Sequence, residues 1–359
     1  MAREGYLILD SDLHMMEPDD LWVRYLDEPY RSAAQKPGAP PALQRRPGAR
    51  FRSGLDLDSD GHRRDRRRRD VRHPRTTDPV PRRSGARLRG GIGARLQQLG
   101  RRLLQERPAA AQIRRADRHD DVPMAVAEAR RCVIQLGAVA VIGTPNPVNG
   151  QHLHDEACEP LWDELERLDV PIGFHPTGTT ALRDDAGRRY VGHANFHPIA
   201  HAIRNPVELM GAIASLTTGG VLERHPKLRA AFLEGTAGWL YWWLWRLDDQ
   251  WEKFGPGCER QLSMLPSEYF KRQCYIALDV DEEPAVDVVN KVGPEYFVVS
   301  SDYPHSDGAF PEAIQQFLSL PLSGEARRKI LWDNCARLYA IETPAMPLTQ
   351  EQKTVSAAE

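Results

Sequence analysis

Three apolar runs in this chain each end in residues that bind metals or move protons. Tyr6-Leu-Ile-Leu leads through Asp10 and Ser11 to Asp12-Leu-His14, Pro171-Ile-Gly-Phe leads to His175, and Tyr296-Phe-Val-Val leads through Ser300-Ser301 to Asp302. Runs of this length read as buried strands. In a barrel of parallel strands the C-terminal strand ends build the active site. Strands are expected over 6–12, 138–143, 171–175, 228–233, 273–279 and 296–301. Helices are expected over 122–136, 156–168, 206–216, 236–254, 282–291, 310–319 and 324–340. Such alternation is the signature of parallel α/β architecture. The expected fold is therefore a distorted (β/α)8 TIM barrel. Only six βα units are visible where a closed barrel needs eight, so the second and third are expected to be missing or scrambled.

The place for them is a segment of different character. From about 37 to 120 the chain is rich in arginine, with pairs or runs at Arg45-Arg46, Arg63-Arg64, Arg66–Arg69, Arg82-Arg83 and Arg101-Arg102, and Phe51 is its only aromatic residue. So little bulky apolar content cannot offset the entropy of ordering. Three explanations compete: a basic nucleic-acid-binding arm, a natural disordered insertion, and a stretch read out of frame from a GC-rich gene. The abrupt boundaries, with helix-like Leu21-Trp-Val-Arg-Tyr-Leu26 before and Asp121-Val-Pro-Met after, favour the frameshift. On this reading 1–342 is one domain interrupted by 37–120, and 343–359 is a flexible polar tail.

The totals set further bounds. A net charge of −2 over 359 residues gives no global reason to expect nucleic-acid binding. The cysteines at 132, 158, 258, 274 and 335 show no CxxC pair, which suggests reduced thiols in an intracellular protein. Neither a signal peptide nor a bilayer-spanning stretch is visible, so a cytoplasmic location with no membrane partner is expected. Trp239, Tyr241, Trp242, Trp243, Trp245 and Trp251 crowd helix 236–254. They read as outer barrel layer plus a subunit interface, and so as a homodimer; a substrate lid is the alternative.

Asp12 and His14 sit two residues apart and share one face of a strand. Singly, Asp12-x-His14, His175 and Asp302 could each be a strand-end turn, a structural histidine or a helix cap. Together they match a divalent metal site of carboxylate and imidazole donors. Glu234 follows the strand at 228–233 and is either an acid/base facing the site or an acid favoured by a helix N-terminus. His193, His197 and His201 repeat every four residues, which would share a helix face, but Pro198 argues against a simple helix. They are either substrate-loop or surface groups.

Taken together, Asp10-Ser-Asp-Leu-His14-Met-Met-Glu-Pro18, Gly173-Phe-His175, Phe232-Leu-Glu-Gly-Thr-Ala-Gly-Trp239, Ser300-Ser-Asp302-Tyr-Pro-His305 and Ile330-Leu-Trp-Asp-Asn-Cys-Ala-Arg-Leu-Tyr339 resemble the amidohydrolase-related family that includes aminocarboxymuconate-semialdehyde decarboxylase. The likeness covers 1–36 and 121–342. It implies a distorted (β/α)8 barrel, often dimeric, with one divalent ion (Zn²⁺, Mn²⁺ or Fe²⁺) held by Asp12, His14, His175 and Asp302. Asp302 and Glu234 would be catalytic; His197, His201 and His305 would bind a small-molecule substrate. Decarboxylases of the family carry a histidine where this chain has Glu234. Two reactions follow: hydrolysis of an amide, ester or lactone, and nonoxidative decarboxylation of a small organic acid. The alternatives outside that class are an inactive, partly misfolded product of a frameshifted gene and an Arg-rich nucleic-acid-binding protein.

Overall fold

The computed structural model describes residues 2–11, 113–114, 121–148, 150–176, 185–303, 305, 308–309 and 311–343. Asp12, His14, the residues from 344 onward and nearly all of the arginine-rich segment lie outside the described residues. A two-residue hairpin opens the chain, with β1 (Ala2–Arg3) antiparallel to β2 (Tyr6–Leu7). Its turn residues Glu4 and Gly5 have φ of 51° and 82°, the left-handed pair that a tight hairpin turn requires.

Six strands form one parallel sheet in chain order: β3 (Ile113–Arg114), β4 (Val141–Gly143), β5 (Ile172–Phe174), β6 (Ala230–Phe232), β7 (Cys274–Asp279) and β8 (Phe297–Ser300). One expectation needs correcting. Of the strand expected over 6–12, the described residues 6–11 are not part of this sheet; only Tyr6–Leu7 is extended in a ladder, and its partner is β1. The remainder reaches β8 by single bonds, Ser11 N to Val299 O at 3.0 Å and Ser11 Oγ to the same carbonyl at 2.6 Å. Inside the arginine-rich segment, β3 pairs with β4 and adds one strand to the sheet.

Helices connect these strands: α1 (Val122–Leu136), α2 (Glu159–Leu168), α3 (Phe196–Leu216), α4 (Val221–Arg224), α5 (Leu240–Phe254), α6 (Pro266–Gln273), α7 (Glu283–Val292), α8 (Ala313–Ser319), α9 (Gly324–Arg328) and α10 (Asn334–Leu338). A π-helical turn, Lys329–Asp333, joins the last two. Helix α1 starts where its sequence dictates: Asp121 caps Met124 N at 3.2 Å, Pro123 stands in the first turn, and Gly137 ends the helix at φ 71°. Helix α3 begins ten residues before the expected 206. Pro198 is tolerated because the first turn of a helix has no use for its missing N–H. Pro206 lies inside α3, whose buried face (Ala200, Leu209, Ala212, Ile213, Leu216) packs strongly enough to override the proline.

Alternation along the strands divides the core in two. Val141, Ile172, Phe174, Phe232, Ile276, Phe297 and Val299 face the helices and join one large cluster. Ile142, Ala231, Leu233, Tyr275, Ala277 and Val298 point the other way and meet Cys335, Leu338 and Tyr339 of the C-terminal helix region. Both faces are therefore buried, as parallel sheets demand. Fully burying a residue such as Phe174 or Phe232, both 0% exposed, stabilises by about 1.5–3 kcal/mol. Four of the free cysteines, Cys132, Cys158, Cys274 and Cys335, are buried, while Cys258 is exposed. In α5, Tyr241, Trp242 and Trp245 are half exposed and Trp243 packs on the core, its Nε1 donating to Met210 O at 3.1 Å. No helix among the described residues is long and apolar enough to cross a membrane.

Candidate active site

Four strands end on titratable groups: β5 on His175, β6 on Leu233-Glu234, β7 on Asp279, and β8 on Ser301-Asp302. Glu234 and Asp302 both adopt a left-handed backbone, φ 54° and 52°. For residues other than glycine this costs on the order of 1–3 kcal/mol and concentrates at functional sites. Two glycines make the β6 loop Glu234-Gly-Thr-Ala-Gly238 buildable. A Cβ on Gly235 would stand 2.3 Å from Leu209 Cδ1, and one on Gly238 would stand 3.2 Å from Glu282 Oε1.

Glu282 locks that loop to the end of β7. Its carboxylate accepts from Ala237 N at 2.8 Å, Gly238 N at 2.7 Å and Asp279 N at 3.3 Å. Burial raises the Glu282 carboxyl above its ordinary value while these donors pull it back. Asp279 is also pushed up, to about 7, by burial first and then by Glu282, Asp281, Asp302 and Glu234.

His175 Nδ1 lies 2.8 Å from Pro176 O. A carbonyl only accepts, so Nδ1 carries hydrogen. Its Nε2 lies 2.5 Å from Glu234 Oε2. Neutral imidazole would place a lone pair against a carboxylate there, and that arrangement calls for a proton or a cation. The other carboxylate oxygen, Oε1, accepts from Asn205 Nδ2 at 3.1 Å and lies 3.6 Å from His201 Nε2. At β8, His305 Nδ1 meets Asp302 Oδ1 at 2.8 Å. One donor atom each from Glu234, Asp302 and His305 lie within 4.8 Å of one another. Two carboxylates and an imidazole at that spacing suit Mn²⁺, Fe²⁺ or Zn²⁺, and the nearby carboxyl of Asp279 adds to the case for positive charge.

Of the residues expected at the site, His175, Glu234, Asp302 and His305 are brought to the same end of the sheet, with His201 at the edge. His305, expected to touch substrate, joins the metal-type cluster. His197 is one turn nearer the start of α3, exposed, its ring 5.9 Å from that of His201. Asp12 and His14 are outside the described residues. Sequence reasoning missed Asn205 and Asp279. Asn205 continues the four-residue series 193, 197, 201, and Asp279 ends an apolar run as the other strand-end acids do.

A barrel of parallel strands with carboxylates and imidazoles at its strand ends defines a class of metal-dependent enzymes. A family profile described as "Amidohydrolase" matches residues 94–341, and the chain belongs to that family. The match begins inside the arginine-rich segment, ahead of β3. The chain is 27% identical over 197 residues to 2-amino-3-carboxymuconate-6-semialdehyde decarboxylase of Dictyostelium discoideum, covering 54% of this chain and 52% of that protein. It is 28% identical over 236 residues to gamma-resorcylate decarboxylase of Rhodococcus jostii, covering 62% of this chain and 68% of that one. Thus the alignment spans about half the length of the Dictyostelium relative. The structure resembles 2,6-dihydroxybenzoate decarboxylase from Rhizobium, with TM-score 0.59, 24% identity, and coverage of 74% of this chain and 80% of that chain. It also resembles a dihydroxybenzoic acid decarboxylase from Polaromonas sp. JS666 solved with bound manganese and 2-nitroresorcinol, with TM-score 0.57, 21% identity, and coverage of 70% and 77%. The fold is accordingly the (β/α)8 type expected from the strand pattern.

Proposed function

We propose that this protein is a metal-dependent, nonoxidative decarboxylase of a small hydroxylated aromatic acid. The observation that carries the reading is the convergence of Glu234, Asp302 and His305 at the strand ends, with His175 against Glu234. That the curated relatives are decarboxylases supports this reaction over hydrolysis. Glu234, Asp302 and His305, with His175 beside them, are the described residues that would hold a divalent ion. The ion would supply positive charge facing the substrate's oxygens. Asp302 and His305, whose Oδ1 and Nδ1 lie 2.8 Å apart, would deliver the proton to the substrate carbon bearing the carboxylate. The carbon–carboxylate bond then breaks, its electron pair restores the ring, and CO₂ leaves. His201 and His197, on the open side of the cluster, contact substrate. Tyr241, Trp242 and Trp245, half exposed on α5, support a subunit interface.

Hydrolysis is the second reading, and Glu234 is the observation that favours it. A carboxylate where related decarboxylases carry histidine is a suitable general base for water. The test is the purified full chain loaded with Mn²⁺ and offered 2,6-dihydroxybenzoate alongside a panel of lactones and esters. CO₂ release from 2,6-dihydroxybenzoate, with no turnover of lactones or esters and a fall in both CO₂ release and Mn²⁺ binding in Glu234→Gln, supports decarboxylation. Turnover of a lactone or ester without CO₂, abolished by Glu234→Gln, transfers the assignment to hydrolysis. Absence of both overturns the reading.

A further inference from the structure

Asn205 stands outside the roles assigned so far and is 4% exposed. Its amide oxygen accepts from Arg204 Nε at 3.3 Å, and its Nδ2 donates to Glu234 Oε1 at 3.1 Å and lies 3.4 Å from His201 Nε2. Arginine has only donors, so the amide cannot be reversed: its NH₂ end must face Glu234. Arg204, 7% exposed, is itself set against Asp185 at 3.9 Å. The backbone supports the same alignment, because Asn205 O would lie 3.1 Å from a Cβ on Gly235, which places α3 directly against the β6 loop.

We propose that Asn205 is a positioning residue, which holds Glu234 by one carboxylate oxygen so that the other faces His175. This rests on the reading of Glu234 as part of the metal-type cluster. A merely structural asparagine would satisfy its own buried amide and leave Glu234 indifferent to its loss. A positioning one sets where the carboxylate points, since an outer partner that orients a ligand changes metal affinity by about 10–100-fold.

The experiment uses the full chain and two variants. Asn205→Asp keeps the shape but opposes an acceptor to Glu234 Oε1; Asn205→Ala removes the partner and stands in if the first variant does not fold. Crystal structures of the metal-free wild type and variants read the Glu234 side chain, and Mn²⁺ titration with thermal melting reads the consequence. We expect the Glu234 carboxylate to turn away from His175 and the Mn²⁺ Kd to rise about 10–100-fold. Glu234 unmoved and an unchanged Kd, with only a lowered melting temperature, overturn the proposal. If wild type binds no Mn²⁺, the functional reading fails separately, and the position of Glu234 in the metal-free variants still decides the role of Asn205.

Discussion

Gly235→Ala is a one-methyl change that tests how the β6 loop is seated. The backbone at Gly235 is not left-handed, so strain in φ is not the issue. Space is: the added carbon would stand 2.3 Å from Leu209 Cδ1, 3.1 Å from Leu209 Cγ and 3.1 Å from Asn205 O. Leu209 is 0% exposed and surrounded by core, so its side chain has no free volume to enter. Overpacking of this kind costs about 1–3 kcal/mol. Stiffening the unfolded chain by replacing glycine returns about 0.4–1 kcal/mol. The net expectation is a loss of about 1–2 kcal/mol. Urea unfolding followed by circular dichroism measures it. Leu209→Ala alone should cost about 2–5 kcal/mol. In the double variant the new methyl occupies part of the vacated volume, so the two costs should fall short of their sum by about 1–2 kcal/mol. Additive costs, or a Gly235→Ala variant as stable as wild type, would refute the packing argument.

Other regions give sharp expectations. Glu164 on α2 is bound by Arg167 at 3.0 and 2.5 Å and by Arg130 at 2.9 Å through both carboxylate oxygens, which holds its carboxyl down at about 2. A depressed folded-state value stabilises above the unfolded value, about 4.3, and that stability is lost as pH falls toward 2. Glu164→Gln should therefore cost about 1 kcal/mol at pH 7, with the difference vanishing by about pH 2 in denaturant titrations; a difference independent of pH would contradict the assignment. Phe232, stacked between Phe174 at 5.6 Å and Phe270 at 6.1 Å, should cost about 3–5 kcal/mol when replaced by alanine, and a loss under about 1 kcal/mol would show that the sheet–helix core collapses around the gap.

How far the sequence could be read depended on whether one local signal dominated. Helix α1 was legible to the residue because Asp121, Pro123 and Gly137 punctuate it. The runs ending at Asp279 and Ser300 were legible as strands because both of their faces are buried. His175, Glu234 and Asp302 were placed correctly at strand ends by the same signal. The start of α3 was hidden by Pro198 and Pro206, whose local cost is outweighed by packing. That error concealed Asn205, since only the longer helix puts 197, 201 and 205 on one face. Strand β3 was invisible because two residues amid arginines carry no periodicity, and only pairing with β4 defines it. The association of His305 with Glu234 comes from the residues after β6 and β8 converging at one end of the sheet across β7, which spacing along the chain cannot express.

The most direct test of the account is Mn²⁺ binding by the purified full chain, counted by electron paramagnetic resonance in wild type, Asp302→Asn and His305→Ala. About one tightly bound ion per chain is expected, as the one cluster of donors among the described residues allows, with its loss in both variants while the fold persists by circular dichroism. Undiminished Mn²⁺ binding in the two variants would place the metal elsewhere and contradict the claim that these strand ends form the active centre.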